Sequence, residues 1–382
     1  MKTPNSVFDS SDEEKLNTST VVTKNIEKYW NRSIATIRHR LVFPYRIIRN
    51  KILGKMEPIS VVLVVNNRCN LNCNYCFGDY GNRRDTDYTT EELVKIIDDL
   101  YDLGTRYMIV HGGETLLRKD IGYIVNYIKN KGIYVGFITN GILLQKKIDE
   151  IRNVDSLCIS LDGRMEGNDL NRGKGAFEAA FNAIKLASKE KFRLRVSATL
   201  THNTMNDIEY LAKLAKEYKF QLYFSILYKP LKRALDMAMS ESEIRKALKD
   251  IAYYKKQGYP IFTSYQCLEY SMSWPFDYNE KHHASAKELP NGFKKIDCYY
   301  GRSKFIVEAN GFVYPCFPLN EEFKALNLKE VGVAKAIEHV RKTITCVACP
   351  HLSNTDYNLL LGISARQMLY LVGMQLKEVF HL

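Results

Sequence analysis

The stretch that decides the fold is Ser60-Val61-Val62-Leu63-Val64-Val65-Asn66-Asn67-Arg68-Cys69-Asn70-Leu71-Asn72-Cys73-Asn74-Tyr75-Cys76. It opens as a short Val-rich run, the signature of a strand buried on both faces, and is far too short to cross a bilayer. It closes on three cysteines spaced C-x3-C-x2-C. In parallel α/β folds the loops at the C-terminal ends of strands build the site, so the cysteines stand where chemistry is expected.

Outward from this stretch the same unit repeats. Val/Ile-rich runs at 60–65, 106–111, 133–139, 154–160, 193–200 and 221–227 alternate with amphipathic stretches at 89–103, 118–131, 142–151, 174–190 and 204–219. Six βα units predict a parallel sheet, either doubly wound or curled into a partial barrel. A helix is expected near 240–257. Residues 258–300 are rich in Tyr, Phe and Trp without clear periodicity. A hairpin follows, Lys304 to Glu308 and Phe312 to Tyr314, in which Asn310-Gly311 supplies the positive φ of a tight turn. An apolar helix over 355–379 ends the pattern. The reading divides the chain into a disordered tail (1–20), a basic amphipathic helical segment (21–57), a core (58–230), a bridging segment (231–297), a cysteine-bearing unit (298–352) and a C-terminal helix (353–382).

The chain has 382 residues, 46% hydrophobic and 26% charged, which excludes collagen-like and wholly disordered classes. The start, Met1 to Thr20, lacks the apolar core of a signal peptide, so the expected compartment is the cytosol. The net charge of +12 is uneven. Lys24, Lys28, Arg32, Arg38, Arg40, Arg46, Arg49, Lys51 and Lys55 face only Glu27 over residues 21–55, and Pro44 is expected to divide that segment into two helices. Tyr29 and Trp30 among these cations suit a peripheral membrane-surface or acidic-partner contact, against the alternative of a helix packed across the core with solvated cations.

Nine cysteines in a cytosolic chain argue for metal rather than disulfides. Structural zinc asks for four closed ligands, whereas the first loop offers three thiolates, which on a cubane leave one iron open. The later strand ends are equally marked: His111-Gly112-Gly113-Glu114-Thr115, Thr139-Asn140-Gly141, and Ser160-Leu161-Asp162-Gly163 followed by Arg172 and Gly173-Lys174-Gly175-Ala176-Phe177. Over residues 58–230 the chain resembles the radical S-adenosylmethionine (SAM) superfamily, with Thr115 standing where that family usually has Pro.

The resemblance implies a partial (β/α)6 TIM-type barrel and a SAM-binding 4Fe-4S cluster on Cys69, Cys73 and Cys76. It implies SAM contacts at Tyr75 (adenine), Gly112, Gly113 and Glu114 (methionyl amino group), Asn140, Asp162, and Ser160 with Arg172 (carboxylate). The activity implied is reductive SAM cleavage to a 5′-deoxyadenosyl radical that abstracts hydrogen from an unactivated C–H, fed by a flavodoxin- or ferredoxin-type reductant. The substrate class stays open among peptide, sugar and lipid-linked molecules.

Cys298, Cys316, Cys346 and Cys349 form a second set, C-x12-G-x4-C with Gly311 in the hairpin, then C-x2-C. A hairpin followed by CxxC is also how zinc ribbons are built. The set resembles the twitch domain, a shortened SPASM extension, and so implies an auxiliary 4Fe-4S cluster. Thr355 and Leu359 stand where a full SPASM has further cysteines. Cys158 reads as a buried strand residue, Cys267 as a packed or solvent thiol although it lies where a substrate could reach it, and His282-His283 as an exposed loop. Two other functions remain: RNA modification, suggested by the basic charge but lacking any visible RNA-binding module, and a non-catalytic metal-binding scaffold.

Overall fold

The computed structural model describes residues 42–228, 232–320 and 322–362. The tail, most of the basic segment with Tyr29 and Trp30, and the chain beyond residue 362 lie outside the described residues. Six strands form the centre: β1 (Ser60–Val64), β2 (Tyr107–His111), β3 (Tyr134–Thr139), β4 (Ser156–Ser160), β5 (Leu194–Leu200) and β6 (Gln221–Ile226). All neighbouring pairs are parallel and run in sequential order, so the sheet is singly wound and the doubly wound alternative falls.

The helices that return the chain are α2 (Thr90–Asp102), α3 (Ile121–Asn130), α4 (Leu144–Lys147), α5 (Met165–Arg172), α6 (Ala176–Lys189) and α7 (Ile208–Glu217). Helix α2 shows how local sequence sets an element. Thr89 accepts from the Glu92 amide while the Glu92 carboxylate accepts from the Thr89 amide, a capping box that satisfies two orphan donors. Leu93, Ile96, Ile97 and Leu100 then fall on one buried face. The segment 142–151 departs from its expected single helix, since α4 gives way to a 3-10 turn over Ile148–Ile151.

Strand alternation sorts the sheet's two faces. Met108, Val110, Val135, Phe137, Leu157, Ile159, Val196, Ala198, Leu222 and Phe224 join the main core under the helices. The intervening residues, from Ile109 and His111 through Gly136, Cys158 and Ser160 to Ser197, Thr199 and Tyr223, line a cavity of about 1340 Å3.

The chain then forms α8 (Glu241–Lys256), α9 (Tyr265–Met272), β7 (Ala284–Ser285), β8 (Lys304–Val307), β9 (Val313–Tyr314), α10 (Leu328–Val331), α11 (Val333–Thr343), β10 (Cys346–Ala348) and α12 (Leu352–Leu361). Three expectations change here. The aromatic segment contains a helix, α9, capped by Ser264, whose hydroxyl accepts from the Cys267 amide. The hairpin joins the central sheet, because β8 pairs in parallel with β1 and β9 forms the edge opposite β6. The last helix begins at Leu352, ahead of the predicted start.

Residues 42–52 are helical with Pro44 in the first described turn, and the stretch before residue 42, where the other helical piece was expected, lies outside the described residues. In this helix, α1, Ile47 packs with Ile59 and Leu361, and Arg46 and Arg49 both pair with Glu57. Phe43 meets the Tyr107 ring at 5.6 Å and lines the cavity. Among the described residues no helix is long and apolar enough to cross a membrane.

Candidate active site

One end of the cavity collects the strand ends. Cys69, Cys73 and Cys76 line it together with Tyr75, Gly112, Gly113, Asn140, Ser160 and Arg172. Burial pushes the Cys69 thiol up to about 12 and the Cys73 thiol up to about 11, and the neighbouring thiols add to the effect. Asn140 Nδ2 lies 4.0 Å from the Cys69 sulfur, and a cationic centre would draw the buried Cys69 and Cys73 thiols into the thiolate form.

The two glycines are required by packing of the chain on itself. A Cβ on Gly112 would meet Asn66 Oδ1 at 2.1 Å, and one on Gly113 would meet the Arg68 carbonyl at 2.2 Å. The cysteine loop is thereby seated directly on the end of β2. Glu114 follows the two glycines at the end of β2. It is buried and does not line the cavity; its carboxylate accepts from Thr139 Oγ1 (2.7 Å), the Asn140 amide (2.7 Å) and the Leu116 amide (2.9 Å). Burial raises its pKa while those three bonds oppose the shift. Its effect is to fix the turn that presents Asn140.

Arg172 ends α5, a short polar helix within a segment expected to be loop. Gly173, at φ 110°, stops the helix and leaves the guanidinium beside the cavity. Its Nη2 and Nε donate to Asp162 at 2.7 and 2.9 Å, a bidentate pair with Asp162 fully buried. The Tyr75 hydroxyl donates to the same carboxylate at 2.6 Å, which places its ring 5.6 Å from the Arg172 guanidinium carbon. Asp162 itself does not line the cavity; it orients the two residues that do.

The second cysteine set is buried apart from this cavity. Cys298, Cys316 and Cys346 share one cluster, and burial with the nearby Cys298 and Cys346 raises the Cys349 thiol. Burial first, then Cys298, Cys349 and Cys346, raises the Cys316 thiol well above its ordinary value. Among the described residues no three His, Cys, Asp or Glu side chains converge as a site for a metal ion. The two cysteine sets approach through aromatics: Phe77, next to Cys76, meets Phe317, next to Cys316, at 4.2 Å. Behind them the Glu308 carboxylate accepts from the Tyr80 hydroxyl at 2.9 Å and from Arg83 at 3.0 Å, tying the first cysteine loop to the hairpin.

Cys267 is fully buried on α9, with its thiol 3.3 Å from the Leu352 carbonyl, and does not line the cavity. Cys158 does line it. His282 is buried and faces the cavity together with His351, which corrects the exposed-loop expectation. The sequence reading missed Tyr107, Tyr134, Tyr223, Arg195 and Lys304 on the cavity wall. Their one signal was period-2 alternation with polar residues on a face expected to be core.

Residues 63–215 match the model of the radical SAM superfamily. The chain is 29% identical over 216 residues to the Fe-coproporphyrin III synthase of Methanosarcina barkeri, covering 52% of this chain and 53% of that one. It thus spans about half the length of that relative. It is 24% identical over 326 residues to the mycofactocin maturase MftC of Mycolicibacterium smegmatis, covering 80% and 79% of the two chains. Its fold is similar to that of Streptococcus suis SuiB bound to S-adenosylmethionine, with a TM-score of 0.59, 17% identity, and coverage of 77% of this chain and 70% of that one.

Proposed function

We propose, for a chain whose residues 63–215 are a radical SAM domain, that it cleaves SAM reductively and abstracts hydrogen from an unactivated C–H of a substrate held in the large cavity. The observation that carries this reading is that Cys69, Cys73, Cys76, Asn140, Ser160 and Arg172, which follow successive strand ends, all line that one cavity. Cys69, Cys73 and Cys76 would hold a 4Fe-4S cluster. When bound, cluster and SAM together supply a 5′-deoxyadenosyl radical; the protein contributes position and exclusion of water.

Each residue then has a defined task. Asp162 holds the Arg172 fork in one orientation, so the cation faces the cavity without a rotamer search. Ser160 lines the same cavity and would present its hydroxyl there. Glu114 fixes the turn carrying Asn140. Tyr75, tethered through its hydroxyl, gives a flat wall for an adenine ring.

The second cysteine set would hold an auxiliary 4Fe-4S cluster in a twitch-type arrangement, and that group would supply an electron acceptor for net oxidation of the substrate. The Phe77–Phe317 contact between the two sets supports that role. A flavodoxin- or ferredoxin-type protein would supply the first electron.

The test is anaerobic iron and sulfide analysis with detection of 5′-deoxyadenosine after dithionite reduction. Two cubanes give about eight irons per chain, and the Cys69→Ala/Cys73→Ala/Cys76→Ala variant should retain about four. Absence of 5′-deoxyadenosine from the iron-loaded chain would sink the catalytic reading. One equivalent of zinc in place of the second cluster would sink the auxiliary role.

A further inference from the structure

The cavity contains a cation that the reading above leaves unused. Lys304 opens β8 in register with Ser60 of β1, and the residue is only 6% exposed, yet it lines the cavity. Its ammonium lies 3.9 Å from the centre of the Tyr357 ring and 4.8 Å from that of Tyr300. Among the described residues it makes no ion pair, and burial alone drives its amine down to about 7. Asp356, an acid on the same cavity, directs its carboxylate to the amide and hydroxyl of Ser264.

A charge taken from water is ordinarily paired, and two aromatic faces replace little of the lost hydration. Arg193 and Arg195 line the cavity as well, both acting on Tyr107, so this part of the wall is cationic and rich in tyrosine. Lys304 and Tyr107 lie at the starts of their strands, whereas the cysteines follow the end of β1. The cationic region and the cysteines therefore occupy opposite ends of the sheet.

We propose that Lys304 is a substrate-binding residue that pairs through Nζ with a carboxylate at the end of the cavity remote from Cys69, Cys73 and Cys76. The substrate class is an organic carboxylate whose reacting carbon lies between the two ends. Nζ of Lys304, framed by the Tyr300 and Tyr357 rings, offers one ammonium to one carboxylate group. This inference rests on the reading of the cavity as the substrate site.

Isothermal titration of the iron-loaded full chain with naphthylacetate and with the uncharged naphthylacetamide, at slightly acidic pH, tests it. Wild type should prefer the carboxylate by about tenfold to a hundredfold, the range of a charge-assisted bond. Lys304→Met should lose the preference while keeping its affinity for the amide, which reports an intact cavity; Lys304→Arg should retain the preference. If methionine prevents folding, Lys304→Gln takes its place with the same expectation. Equal affinity of wild type for both probes, binding of neither, or a preference that survives in the neutral variant would overturn the proposal. The readout is binding, so a chain that passes this test yet yields no 5′-deoxyadenosine would fail only the catalytic reading.

Discussion

Asp162 accepts hydrogen bonds from Arg172, Tyr75, Asn171 and the Thr199 amide, so one carboxylate aligns α5, the cysteine loop and β5. Asp162→Asn would turn a donor toward these donors and leave the Arg172 charge buried without its counter-ion. The expected loss of stability is about 3–5 kcal/mol, read by denaturant unfolding. A change below about 1 kcal/mol, within the range of exposed pairs, would show that the Arg172 charge is solvated. Lys304 gives a second prediction at this scale. Its folded-state value of about 7 lies below the ordinary 10.5, so the unfolded chain binds the extra proton between those limits and stability rises with pH there. Lys304→Met should therefore be more stable than wild type by up to about 5 kcal/mol near pH 7, with the advantage shrinking as pH rises toward 10.5. Parallel unfolding series at several pH values check this, and a constant difference would contradict it. The motifs around Asp162 and Glu114 were legible in the sequence. Their division of labour was not, because which carboxylates face the cavity and which face inward is set by the burial of neighbouring strand ends.

At the scale of elements, the cysteine loop and the end of β2 are fitted to each other. A methyl group on Gly113 would lie 2.2 Å from the Arg68 carbonyl carrying the loop to Cys69, a contact only backbone movement can relieve. Gly113→Ala is expected to lower the iron content of the first site while leaving the chain folded, because α2 and α3 pack on the opposite face of the sheet. Iron analysis beside circular dichroism checks this; full iron content would show that the loop shifts freely. Four helices between the strands, α2, α3, α6 and α7, were legible from apolar spacing, whereas 142–151 is only a short helix followed by a 3-10 turn. Helices α5 and α9 were not: α5 is short and polar, held by Asp162 and Asp169, and α9 buries Cys267, Leu268, Tyr270 and Ser271 in a pattern set by α8 and α12.

For the whole molecule, the pairing of β8 with β1 puts the hairpin and its Cys316 on the same sheet as the first cysteine loop. Cys316→Ala should preserve the first cluster's reduced-state EPR signal and 5′-deoxyadenosine yield while about half of the iron is lost, consistent with one of two cubanes. Loss of both clusters would mean that the second set supports the first structurally. The sequence by itself determined the alternating βα order, the strand ends that carry chemistry and the two cysteine sets, because hydrophobic period and ligand spacing are local properties of the chain. Only the tertiary structure decided that the hairpin joins the sheet, that α1 packs beside the cavity through Phe43, and that Lys304 lies buried within it. Those outcomes depend on contacts between segments far apart in the chain, where no local pattern records which face meets which.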